Sequence, residues 1–121
     1  MSVILLAIKP EYVEKILNGT KKYEFRKRIA KLPVKTILIY STYPKMEIVG
    51  EMQVIQILSN TPTRLWEETK HEAGISRSKY REYFKGCKIA YAYKLENITI
   101  FKKPRKLVEY NVLIHLNHLY I

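Results

Sequence analysis

The sequence predicts an α+β fold: a small, mostly antiparallel β-barrel with short helices covering its openings. Three observations lead there. Apolar runs of strand length recur along the chain, and the stretches of helical spacing between them are short. The apolar residues of 47–58 change sides midway, Ile48, Met52 and Val54 on one parity and Ile55 and Ile57 on the other. That switch calls for a bulge or a sharp bend of the kind that curves a small barrel. The length, 121 residues, suits one core, so 1–121 is expected to be a single domain.

Val3 to Ile8 is a short apolar run, expected as a buried strand. Pro10 opens a helix, where its missing N–H does no harm, and Glu11 and Glu14 suit the dipole of the first turns. Tyr12, Val13, Ile16 and Leu17 share one face, and Gly19 stops the helix. A basic strand follows, then a connection with Pro33 as its breaker. In the next strand, Thr36 to Tyr43, Ile37 to Tyr40 are consecutive and β-prone, a pattern buried on both sides; Pro44 ends it. Gly50 eases bending in the strand after that. A helix is expected over Thr63 to His71, anchored by Leu65 and Trp66 and broken by Gly74. Another runs from Ser76 to Phe84, with Ser76 or Ser78 as cap and Gly86 as stop. Lys88 to Leu95 reads as a strand, and Asn97 shifts the phase so that Ile98 and Ile100 continue in a further one. Lys102 to Lys106 is a basic patch around Pro104, and 111–121 is apolar and β-like. The predicted order is β-α-β-β-β-α-α-β-β.

Lys and Arg number 22 against 11 Asp and Glu, a net charge of +11. On so small a domain that favours a polyanionic partner, nucleic acid first and an anionic membrane surface second. No apolar run approaches a membrane span, and Met1 to Lys9 lacks the basic start and apolar block of a signal peptide. The one cysteine, Cys87, leaves no intrachain disulfide and fits a reducing cytoplasm, where a monomer is expected. His115 and His118 stand three apart without a carboxylate or cysteine cluster, so neither a metal nor another cofactor is expected. Gly-rich phosphate loops and a Ser-His-Asp order are absent.

The charge concentrates in Gly19-Thr20-Lys21-Lys22-Tyr23-Glu24-Phe25-Arg26-Lys27-Arg28. Strand alternation puts Glu24, Arg26 and Arg28 on one face, which Lys21 joins only from the preceding turn. Lys21, Lys22, Arg26, Lys27 and Arg28 can neutralise phosphates. Arg26 can hold Glu24 bidentately, and a carboxylate so held can accept a hydrogen bond from a base's amino group. Tyr40 and Tyr91 offer faces for stacking an unpaired base, and Ser41 and Thr42 offer hydroxyls. The plainer readings are a solvated charged strand, two packed tyrosines and a turn cap.

Gly19, Lys21, Glu24 and Arg26 match the G-x-K-x-x-E-x-R signature of the ASCH domain family, after a helix begun by Lys9 and Pro10 as in that family. Ile39 to Pro44 resembles its Y-x-T-x-P strand end, and Val49-Gly50-Glu51 its next strand. Leu65-Trp66, Tyr83-Phe84, Gly86, Ala90-Tyr91-Ala92 and Pro104 fall in its order, so the resemblance covers about residues 3 to 105. It implies a PUA-like β-barrel that binds RNA or a modified nucleotide in a cleft beside the signature, lined here by Lys9, Lys21, Glu24, Arg26, Tyr40 and Thr42. The implied roles are RNA processing and control of transcription or translation. Some members of the family cut RNA, and one branch deacetylates N4-acetylcytidine with a threonine nucleophile where this chain has Glu24. That branch pairs it with the signature lysine, here Lys21, and a distant acid, for which Glu72 is in the right region. A binding module and an enzyme using Lys21 and Glu24 as acid–base pair therefore both stand, since burial lowers a lysine's pKa. Glu24 is expected to disfavour deacetylation, because a carboxylate repels the developing oxyanion. Lys27→Ala and Arg28→Ala are expected to weaken binding to all sequences alike, and Glu24→Ala to alter base preference by about 1–3 kcal/mol.

Overall fold

A computed structural model describes residues 3–31 and 33–107. Its strands are β1 (Val3–Ile8), β2 (Tyr23–Arg26), β3 (Thr36–Ser41), β4 (Glu47–Asn60) and β5 (Ala90–Arg105); its helices are α1 (Pro10–Leu17), α2 (Pro62–Thr69) and α3 (Arg77–Tyr83), with a 3₁₀ turn over Lys70–Glu72. The strands form one sheet in the order β1-β3-β4-β5-β2. β1 and β3 pair in parallel, and every other neighbour is antiparallel.

α1 connects two strands that are not neighbours, and it does so by burying Tyr12, Val13 and Ile16 against the sheet. Its end is a tight reversal. Gly19 takes φ +85°, and the N–H groups of Thr20 and Lys21 both donate to the Lys15 carbonyl at 3.0 Å. Only glycine adopts that left-handed backbone cheaply, and the reversal delivers Lys21 toward the interior just before β2 begins. Both α2 and α3 are capped, α3 by the expected Ser76: Thr61 Oγ1 accepts from the Arg64 N–H at 3.3 Å, and Ser76 Oγ from the Lys79 N–H at 3.2 Å. α3 packs on β2 through rings, and Trp66 of α2 joins them on Tyr80. Phe25 meets Tyr80 edge-on at 5.1 Å and Phe84 at 6.3 Å between centroids.

The parity switch predicted in β4 is a register shift against β5 between Val54 and Gln56. A second shift, between Ile39 and Tyr40, interrupts β3 against β4. Two expectations change. The C-terminal strand pair is one strand, β5, which runs through Asn97 by giving that residue φ +51°; asparagine tolerates this region better than most side chains. Pro104 lies inside β5, where only β4 pairs with it and a missing N–H can face the open side. The barrel is also not closed by backbone pairing: β1 and β2 end the sheet. A side chain reaches across that gap instead, the Arg26 guanidinium donating to the Ala7 carbonyl of β1 at 3.1 Å. The β-like stretch 111–121, with His115 and His118, lies outside the described residues.

Candidate nucleic-acid interface

Half of the run's charged side chains are interior. Lys21, Glu24 and Arg26 are 1 %, 0 % and 1 % exposed. Such side chains stay inside only when paired and hydrogen-bonded. Arg26 donates from both Nε (3.0 Å) and a terminal nitrogen (2.6 Å) to one oxygen of Glu24, Oε2, and to the Ala7 carbonyl. Glu24 Oε1 is buried without a hydrogen-bond partner among the described residues. Lys21 donates to the Ala73 carbonyl at 2.8 Å, with its ammonium 4.9 Å from the Phe25 ring centroid and 5.3 Å from that of Tyr12. Burial pushes the Lys21 ammonium down to about 8; Glu24 opposes this, while Lys15 and Arg26 add to it. Burial likewise raises the Tyr83 hydroxyl to about 12.

Gly74 is what lets the chain after the 3₁₀ turn lie on Lys21. It has φ +63°, and a Cβ there would overlap Cβ and Cγ of Lys21. Gly74→Ala is expected to lower stability by about 2 kcal/mol, from backbone strain and overpacking together. Urea unfolding checks this; an unchanged midpoint means that Gly74 does not press on Lys21.

The other predicted residues divide. Lys9, Tyr40 and Thr42 do line one open cleft of about 690 Å³, together with Glu11, Tyr43 and Met46. Lys21, Glu24 and Arg26 do not line it, which corrects the expected composition of the cleft. They lie behind it: Arg26 holds Ala7, and Ala7 pairs with Tyr40 and packs beside it. Tyr40 is itself buried, and Tyr43, 80 % exposed, is the available ring. The sequence marked Tyr43 only as a residue before the terminating Pro44, although an aromatic side chain in an exposed turn is a signal in its own right.

Ser41 is buried, and the Thr42 N–H closes the turn on the Ile8 carbonyl at 3.0 Å. Tyr91 is half-buried opposite Arg26 in the β2–β5 register. Lys22 is exposed and pairs with Glu72 at 3.3 Å, so Glu72 meets Lys22 rather than Lys21. Lys27 rests over the Tyr83 ring at 4.9 Å, and Arg28 is exposed beyond the end of β2, off the face that Glu24 and Arg26 share. Among the described residues no three His, Cys, Asp or Glu gather, and no helix is long and apolar enough to cross a membrane.

The ASCH domain family model matches residues 6–101. The chain belongs to the ASCH domain family. An ASCH domain-containing ribonuclease of Zymomonas mobilis is 34% identical over 95 residues, which is 77% of this chain and 64% of that protein. The ATP synthase subunit alpha of Ureaplasma parvum is 30% identical over 110 residues, 90% of this chain but 14% of that protein. The chain thus spans only part of either relative. The crystal structure of ASCH from Zymomonas mobilis superposes with a TM-score of 0.81 at 31% identity, covering 88% of this chain and 75% of that one. A tyrosine-to-phenylalanine mutant of the same protein gives 0.82 at 30%, covering 90% and 78%. The five-stranded sheet with three short helices matches the ASCH structures.

Proposed function

We propose that this ASCH domain binds single-stranded RNA, taking an unpaired or modified nucleotide in the Lys9–Tyr43 cleft. The observation that carries this is the make-up of the cleft: a cation (Lys9), an exposed ring (Tyr43) and a hydroxyl (Thr42) in one concavity, on a chain of net charge +11. Stacking on the ring and neutralisation of the backbone are what an unpaired nucleotide needs. Lys22, Lys27 and Arg28 serve flanking phosphates, and Lys21, Glu24 and Arg26 frame the cleft from behind. Salt titration of binding to a labelled single strand tests the reading. With about four phosphate contacts, log affinity falls against log salt with a slope of about −3. Tyr43→Ala weakens binding by about 1–3 kcal/mol. Absence of binding at low salt overturns the proposal.

A second reading, cleavage of RNA, is favoured by the Zymomonas relative named as a ribonuclease. In it Lys21 is the proton carrier, its pKa lowered by burial toward the working range, with Glu24 as its partner. Both are sealed, and Lys21 is reached only once the Ala73–Gly74 segment that lies on it lifts. The same incubations run on a gel separate the readings: intact, retained RNA supports binding alone, and fragments lost with Lys21→Ala support cleavage. N4-acetylcytidine added in parallel, scored for cytidine, is expected to stay intact; turnover shows that Glu24 does not block deacetylation.

A further inference from the structure

The groove between α2 and α3 lies outside both the signature and the Lys9–Tyr43 cleft. It encloses about 320 Å³, with Trp66, Tyr80 and Phe84 supplying rings and Glu67, Arg77 and Arg81 supplying charge. The rings form a cluster of their own: Trp66 packs tilted on Tyr80 and Tyr80 edge-on against Phe84, each at 4.8 Å between centroids. Tyr80 and Phe84 are buried, whereas Trp66 keeps part of its surface open. A partly exposed indole on a rigid aromatic floor is a ready platform for another flat ring.

The charges around it favour an anion. Arg77 and Arg81 are one turn apart on α3 and so share a face; both are exposed, and neither forms a salt bridge among the described residues. The groove's carboxylate, Glu67, is taken by Lys70 at 2.9 Å, and Arg77 acts on it only through space. Two guanidinium forks beside an open indole match the two parts of a nucleotide, phosphate and base.

α3 also stands beside the first cleft. Lys79, on the side of the helix away from Arg77 and Arg81, reaches Glu11 of that cleft at 3.8 Å. We propose that the α2–α3 groove is a second stacking subsite for single-stranded RNA, taking a base on Trp66 and its phosphates on Arg77 and Arg81, while the same strand crosses α3 into the Lys9–Tyr43 cleft. This rests on the RNA-binding reading above and extends it from one nucleotide to a path.

Trp66 is the only tryptophan of the chain, so its fluorescence reports this groove alone. The test titrates the whole protein with an end-labelled oligoadenylate of about ten nucleotides, long enough for more than one subsite, and follows label anisotropy and Trp66 emission together. A second arm titrates adenosine monophosphate. Saturable quenching of Trp66 with the anisotropy midpoint is expected, and quenching by the mononucleotide only at far higher concentration. Arg77→Ala with Arg81→Ala keeps the reporter and is expected to weaken the strand about tenfold and flatten the salt slope by about 1.4. Trp66→Ala weakens it about five- to 150-fold, the span of a lost base stack. Because Trp66 also packs on Tyr80, the arginine pair is the decisive variant. An anisotropy rise without any change in Trp66 emission, or unchanged binding in the arginine pair, overturns the second subsite and leaves the first cleft standing. Equal midpoints for mononucleotide and strand overturn the continuous path and leave a free-nucleotide site. No anisotropy change at all removes the RNA reading and this inference with it.

Discussion

Glu24→Ala is expected to lower stability by about 3–5 kcal/mol, the range for stranding one member of a buried ion pair. A domain's whole margin is about 5–15 kcal/mol, so much of the population unfolds under mild conditions. The reason is geometric. Arg26 is 1 % exposed and directs two of its nitrogens at Glu24 Oε2. Without that carboxylate the guanidinium is left in the interior with less than its full set of acceptors, and its hold on the Ala7 carbonyl, which spans the open side of the sheet, loosens with it. Urea unfolding of Glu24→Ala measures the loss, and Glu24→Leu with Arg26→Met supplies the control. The double variant is expected to recover most of the stability, because apolar side chains of similar volume replace a buried pair at little cost. If the double variant is no better than Glu24→Ala, the pair is not the unit that matters. A change in base preference from Glu24→Ala, expected from the run of charges alone, is then secondary to the fold.

That reversal shows where a linear reading of this chain stops. Element positions were legible because they follow from local pattern: the Pro10 start and Gly19 stop of α1, the Ser76 cap of α3, and the change of parity that is a register shift at Val54 and Gln56. Lys9, Tyr40 and Thr42 line one cleft, since β1 and β3 end side by side. The burial of Lys21, Glu24 and Arg26 was not legible. Five cations in eight residues look like a solvated strand, and the interior positions of two of them depend on distant carbonyls, Ala7 and Ala73, as well as on Glu24 and neighbouring rings. Nothing in an alanine's identity marks its carbonyl as a partner. Gly74 read as a helix breaker for the same reason; that it also makes room for Lys21 depends on a contact 53 positions away in the chain. The missing closure between β1 and β2 is likewise a matter of tertiary pairing, which strand periodicity does not encode.

Lys21→Met is expected to fall behind the natural protein in stability by about 3 kcal/mol between pH 7 and pH 10.5. Burial lowers the Lys21 ammonium from 10.5 to about 8. In the unfolded chain the amine keeps its proton up to its ordinary value, while in the folded chain it releases it near 8. Between those values the unfolded state binds more protons, so the natural protein gains stability as pH rises through the window. Below pH 8 the penalty of a sealed charge is fully present; the fall from 10.5 to about 8 corresponds to about 3 kcal/mol. Methionine has no such term, so its stability lacks this part of the pH dependence. At pH 7 two effects oppose each other in the variant. The charge penalty vanishes, but the Ala73 carbonyl loses its donor, at about 1–3 kcal/mol, and the contacts with the Tyr12 and Phe25 rings lose their cation. Those losses leave the variant near the natural protein at neutral pH, and the swing with pH, rather than either absolute value, is diagnostic. Urea unfolding of both proteins at the two pH values gives it, and titrations common to both cancel in the difference. A gap that stays constant to within about 0.5 kcal/mol between the two pH values means that Lys21 does not carry its charge in the interior. A gap that opens as pH rises, with the natural protein becoming the more stable by about 3 kcal/mol, identifies the signature lysine as a charge held inside the fold at a cost.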